Sequence, residues 1–179
     1  MTWFDFGFGF GTAGTGSGDF VPSAGLVGSY KFDGIDDLID IAHDSVFDIT
    51  DELSISFWAK NDFNLAGTYD GTIVSRFEPT SSQRSFKTNE YNDGATNQNK
   101  ASAQVETSGT GSQTTRWQSA NSGAVTNEWT HWAFTWNGTT FRIYKNSVQQ
   151  SITTVEFLGG VPLFTSAINT LIGAQGQVG

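Results

Sequence analysis

The sequence predicts an all-β fold, two antiparallel sheets packed as a sandwich, with an extended segment at the N-terminus. Three observations predict it. Gly is frequent (21) and Pro rare (3), while aromatic residues reach 14% and charged residues only 15%. That is the profile of strands separated by Gly, Asn, Ser and Thr turns. From about residue 25 onward, ten short strand-like segments follow one another, several with clean period-2 alternation. No helix-period segment lies between them, which favours a two-sheet sandwich. A chain of 179 residues is long enough for one domain with a real core and too short for two plus a linker.

Residues 2–10 come first. Phe4, Phe6, Phe8 and Phe10 fall on one side of an extended segment, with Trp3, Asp5, Gly7 and Gly9 on the other. Residues 11–18 (G-T-A-G-T-G-S-G) read as a linker. The division expected is therefore an aromatic arm and linker over 1–20 and a sandwich over 21–179. The strands expected in the sandwich are 28–32, 38–41, 53–60, 72–77, 84–90, 101–107, 114–119, 130–136, 141–145 and 170–173. Leu53, Ile55, Phe57 and Ala59 alternate with Ser54, Ser56, Trp58 and Lys60, so one side of that strand is apolar throughout. Asn137-Gly138 between two strong strands supplies the positive φ of a tight hairpin. Residues 92–100 and 108–113 are polar and Gly-rich and read as surface loops.

Charge and composition exclude several functions. A net charge of −9 with only nine Lys and Arg argues against nucleic acid, whose backbone is bound by cations. No run of 18 apolar residues is present, so no membrane insertion is expected. Cysteine is absent, which removes disulfides, zinc thiolates and thiol nucleophiles. The N-terminus lacks the charged and apolar regions of a secretory signal peptide.

Three stretches, in order, carry a resemblance. Tyr30-Lys-Phe-Asp33-Gly-Ile-Asp36-Asp37-Leu-Ile39 is followed by Leu53-Ser-Ile-Ser-Phe-Trp58-Ala-Lys60 and Gly71-Thr-Ile-Val-Ser-Arg76. Further along, the resemblance continues through Trp129-Thr-His131-Trp-Ala-Phe-Thr-Trp136-Asn-Gly138, then Phe141-Arg-Ile-Tyr144 and Leu171-Ile-Gly-Ala174. Together they resemble the laminin-G-like, concanavalin A-like lectin domains over about residues 25–175. The resemblance implies a jelly-roll sandwich that binds glycans or proteins, with calcium as a frequent ligand. It also implies one more strand after Ala174, normally beside the first. Its place could be taken by chain beyond Gly179, by residues 2–10 folding back, or by a neighbouring subunit.

Candidate sites follow from residue chemistry. Asp33, Asp36, Asp37, Asp40, Asp44, Asp48, Asp51 and Glu52 form an acidic run without a Lys or Arg. Hard cations take oxygen ligands, and Asp33, Asp36 and Asp37 are the candidate calcium ligands; turn-forming Asp residues give the same composition. Sugar C–H faces need an aromatic ring with polar groups beside it, and Trp58, Tyr69, Tyr91 and Trp117 are the candidates. Trp132, Phe134 and Trp136 alternate within one strand and read as core. The six Glu (52, 78, 90, 106, 128, 156) are scattered singly, and a glycosidase needs two carboxylates facing one bond, so no enzyme is expected. His43 and His131 lack the paired spacing of a zinc site. His131 reads as a histidine of the sheet.

Trp3, Phe4, Phe6, Phe8 and Phe10 are expected to anchor the chain in an assembly, since four Phe on one side would form a sticky patch in water. The function expected is a non-enzymatic structural or adhesive component of a virion, such as a phage tail-fibre, neck or head-surface protein. A carbohydrate-binding module of a secreted or cell-surface protein is the alternative.

Overall fold

The computed structural model describes residues 4–7, 29–33, 36–61, 69–92, 100–110, 114–119, 128–157 and 162–176. The side chains of 4–7, 29, 61, 69–70, 91–92, 114–119 and 154–157 lie outside that description. Two antiparallel sheets make up the fold. The six-stranded sheet runs β11 (Val148–Gln149), β10 (Phe141–Lys145), β9 (Thr130–Trp136), β4 (Leu53–Asn61), β1 (Phe4–Gly7) and β2 (Ser29–Phe32). The seven-stranded sheet runs β12 (Ile152–Phe157), β8 (Thr114–Ser119), β7 (Lys100–Gly109), β6 (Gln83–Asn92), β5 (Tyr69–Glu78), β13 (Thr170–Ile172) and β3 (Ile39–Ile41). A single 3-10 turn, Ser45–Phe47, is the one helical element among the described residues, capped by Asp44, whose carboxylate accepts from the Val46 N–H at 2.9 Å.

The core is built by alternation. In β9 every second residue is buried, and Trp132, Phe134 and Trp136 are 0%, 3% and 2% exposed. They meet Leu53, Phe57 and Ala59 of β4, Phe141 and Ile143 of β10, and Ala101, Ala103 and Val105 of β7. Phe57 and Phe134 stack at 5.9 Å, within the range that adds to burial energy. The core reading of Trp132, Phe134 and Trp136 therefore holds.

Both sides of the seven-stranded sheet are buried near its centre. Ala101, Ala103 and Val105 point into the core, and the intervening Ser102 and Glu106 are also fully buried. Polar groups lie across that second side: Gln175 Oε1 accepts from Lys87 Nζ at 3.1 Å, and the Ser75 hydroxyl donates to the Ala174 carbonyl at 2.7 Å.

Arg76 in β5 ties the sheet to two irregular segments. Its guanidinium is 1% exposed and donates to the carbonyls of Phe47, Ser166 and Ile168 and, at 2.7 Å, to Asp48 Oδ1. A buried cation persists where every donor finds an acceptor. The 3-10 turn and the 163–170 segment are thereby fastened to the sheet.

The N-terminal segment folds back. β1 pairs with β2 on one side (Phe4↔Phe32, Gly7↔Ser29) and with β4 on the other (Phe4↔Asn61, Gly7↔Trp58). Of the three ways of filling the place beside the first sandwich strand, this is the one the structure adopts, and residues 4–7 belong to a sheet rather than stand ahead of it. Trp3, Phe8, Phe10 and the 11–18 linker lie outside the described residues.

The Asn137-Gly138 hairpin forms between β9 and β10 as expected, though only one of the two residues supplies the positive φ. Trp136 pairs with Phe141, so four residues make the loop, and only Gly138 has positive φ (+85°). Asn137 stays outside the left-handed region because its Oδ1 accepts from the N–H groups of Thr139 and Thr140, the latter at 2.7 Å. The tight two-residue turn is at Asn146-Ser147, with φ of 48° and 67° between Lys145 and Val148.

Candidate functional site

The side of the six-stranded sheet turned away from the core carries a half-buried aromatic surface. In β4 it consists of Ser54, Ser56, Trp58 and Lys60, exposed or half-buried, alternating with buried Leu53, Phe57 and Ala59 and partly buried Ile55. Register brings His131 opposite Trp58, Ala133 opposite Ser56 and Thr135 opposite Ser54. Arg142 and Tyr144 of β10 follow, opposite Thr135 and Ala133. The rings of Trp58 and His131 lie 5.3 Å apart, tilted by 43°. On its other flank Trp58 is paired with Gly7 of β1. The result is an aromatic shelf edged by hydroxyls and cations.

The position of His131 is set by the Asn146-Ser147 turn. Asn146 donates its backbone N–H to the His131 carbonyl at 2.8 Å and accepts the His131 N–H on Oδ1 at 2.9 Å. This double clamp places the imidazole against Trp58. Burial holds its pKa below the usual value of 6.5, so the ring is neutral at neutral pH. A neutral imidazole can both donate and accept a hydrogen bond, as a sugar hydroxyl requires.

The other glycan candidates are not beside Trp58. Tyr69, Tyr91 and Trp117 belong to β5, β6 and β8 of the seven-stranded sheet, where Asp70 pairs with Tyr91 and Ala103 with Trp117. Their side chains lie outside the described residues. His131, Arg142 and Tyr144 share this shelf and are not among the glycan candidates read from the sequence. The alternation of β9 and β10 marks them as outward, but which strand neighbours β4 is not visible in a linear pattern.

Asp33, Asp36 and Asp37 are brought together, each offering one carboxylate oxygen within 4.8 Å of the others. They also serve the turn that carries them. Asp37 Oδ2 accepts from the Asp33 N–H at 2.8 Å and Asp33 Oδ1 from the Asp36 N–H at 3.3 Å. The donor set suits a hard cation in oxygen chemistry, and with two oxygens on each carboxylate the turn and a cation are compatible.

Buried carboxylates lie in the centre of the seven-stranded sheet, and their surroundings bear on catalysis. Glu90 pairs with Ala101 of the core side, whereas Glu106 alternates with core-facing Val105 and lies on the opposite side. Glu106 accepts from Gln104 Nε2 at 2.9 Å, and Glu78 accepts from the N–H and hydroxyl of Thr80 at 2.8 and 2.6 Å. Glu90 and Glu106 cannot clasp one glycosidic bond from opposite sides of a sheet. Among the described residues no helix is long and apolar enough to cross a membrane.

A family model described as the concanavalin A-like lectin/glucanases superfamily, of the laminin-G type, matches residues 33–178. The match begins just after β2 and spans both sheets. No curated protein matches the sequence.

Proposed function

The chain belongs to the concanavalin A-like lectin/glucanases superfamily, and on that premise we propose that it is a non-enzymatic recognition domain that binds glycan on the Trp58 shelf. The observation that carries the reading is the half-buried indole of Trp58 on the outward side of β4, with the His131 ring 5.3 Å away and tilted by 43°. An aromatic face takes up sugar C–H surfaces, while Arg142, His131 and the flanking hydroxyls supply polar partners. The superfamily includes glucanases as well as lectins. A binding role is supported by the separation of Glu90 and Glu106 on opposite sides of the sheet and the engagement of Glu78 in its own turn.

A glycan array probed with the full chain, followed by titration calorimetry on the best oligosaccharide, tests it. Trp58→Ala is expected to weaken binding at least about tenfold, the loss of roughly 1.4 kcal/mol of ring contact. Silence across the array, or unchanged binding by Trp58→Ala with its fold intact, would overturn the assignment. The Asp33, Asp36, Asp37 cluster is proposed as a calcium site that braces the β2–β3 connection. Calcium should then raise the melting temperature of the full chain, and Asp36→Asn should abolish that rise.

We further read the domain as a displayed component of a virion, in a tail fibre, neck or head surface, with its N-terminal segment serving assembly. The low charged fraction and the Gly-, Asn-, Ser- and Thr-rich connections support an extracellular or particle-borne setting. Light scattering on the full chain at high concentration tests the assembly role, and a monomer under all conditions would remove it.

A further inference from the structure

The strand order and the chain lengths point to a strand that can be traded between molecules: we propose that β1 can leave its own sheet and pair with β2 and β4 of a second copy of this chain. The inference rests on the assembly reading above and gives it a mechanism. β1 is an interior strand with ladders to both β2 and β4, so its place is a slot, and among the described residues β2 joins the sheet through β1 alone. Gly7 and Ser29 are register partners at the end of an antiparallel pair. Such a pair needs a connection of about two to five residues. This chain instead spends residues 8–28 on it. That length can extend to roughly 70 Å at about 3.3–3.6 Å per residue. A domain of this size is about 40 Å across. A neighbour's slot is within reach.

The family match begins at Asp33, so β1 and β2 both lie outside the matched stretch, and the sheet of the matched part is completed from outside it. Exchange leaves every β1 contact the same, because the donor and acceptor strands are identical in the two copies. The balance between closed and exchanged forms is then set by the connection and by concentration. A strand tethered by about 20 residues competes at an effective concentration on the order of millimolar, so exchange is reached where copies are packed together.

The chain has no cysteine, which makes a direct test available. Asp5 and Lys60 are register partners in β1 and β4, and Cα atoms of such partners lie about 4.5–5.5 Å apart, within disulfide reach. Full-length Asp5→Cys and full-length Lys60→Cys are mixed at a concentration on the order of millimolar, unfolded and refolded together, and oxidised with glutathione disulfide. A covalent dimer whose peptide map contains the 5–60 link is expected, and the same reaction with Phe57→Cys in place of Lys60→Cys should give none. A chain carrying both cysteines, oxidised at micromolar concentration, should close on itself, which verifies that the variants fold with β1 in the slot; failure to close overturns the slot. Light scattering on the wild-type chain separates the remaining outcomes. An oligomer without the 5–60 link overturns strand exchange and leaves assembly standing, and a monomer without the link overturns both.

Discussion

Replacing Arg76 with Met should cost about 4 kcal/mol of stability, and the figure follows from what its guanidinium holds. The side chain is 1% exposed and satisfies the carbonyls of Phe47, Ser166 and Ile168 together with Asp48 Oδ1. Methionine refills the stem volume but donates nothing, so three carbonyls lose a charged donor. Hydrogen bonds to charged groups contribute about 1.5–3 kcal/mol each, yet water and relaxation recover part of that sum. Breaking a buried ion pair by removing one partner typically costs about 3–5 kcal/mol. Asp48 is 29% exposed and can be rehydrated, which places the expectation inside that range rather than above it. Urea unfolding of the wild-type and variant chains at neutral pH measures the difference, provided the slope with urea is unchanged. A companion Asp48→Asn chain should lose only about 1 kcal/mol, since Arg76 keeps its three carbonyl partners. A loss below about 1 kcal/mol for Arg76→Met would refute the claim that this cation fastens the 3-10 turn and the 163–170 segment to the sheet.

Three further outcomes are expected. The His131 imidazole has its pKa lowered by burial, so on acidification the unfolded chain takes up the proton first; stability should be full above pH 6.5 and fall as pH drops towards the folded value. Urea midpoints at pH 7 and pH 5 measure this, and His131→Gln should reduce the difference. Gly173 has φ +88°, and a Cβ there would lie 2.9 Å from the Phe32 ring. Gly173→Ala should therefore destabilise by about 1–3 kcal/mol in thermal unfolding, and a neutral result would contradict the packing of Phe32 against the end of β13. Ser147 is held at φ +67° in the β10–β11 turn, so Ser147→Gly should raise stability by roughly 0.5–1 kcal/mol without moving His131, as read by calorimetry and the histidine NMR signal.

Local chemistry made most of the strands readable in the sequence. β8, β9 and β10 fall where alternation puts them, and β4 to β7 differ only at their ends, because an apolar residue at every second position has one way to be buried. β11 and β12 carry no pattern that marks them in the sequence. Val148–Gln149 is too short for a pattern, and Ile152–Phe157 is an edge strand with a bulge at Thr154/Glu156, so its alternation is broken where it would be diagnostic. The sharp Asn146-Ser147 turn was missed for a related reason: a left-handed Ser has no strong residue signature and is held there by the ladder on either side.

By itself the sequence determined the fold class, the inward set of Trp132, Phe134 and Trp136, and the proximity of Asp33, Asp36 and Asp37, all of which depend on residues near one another along the chain. Tertiary structure decided three things. It put Trp58 against His131, it separated Trp58 from Tyr69, Tyr91 and Trp117, and it seated Phe4–Gly7 between β2 and β4. The physical reason is the same in each case. Periodicity states which side of a strand is apolar, but strand neighbours are chosen by hydrogen bonding and packing across many intervening residues, and no local pattern records that choice.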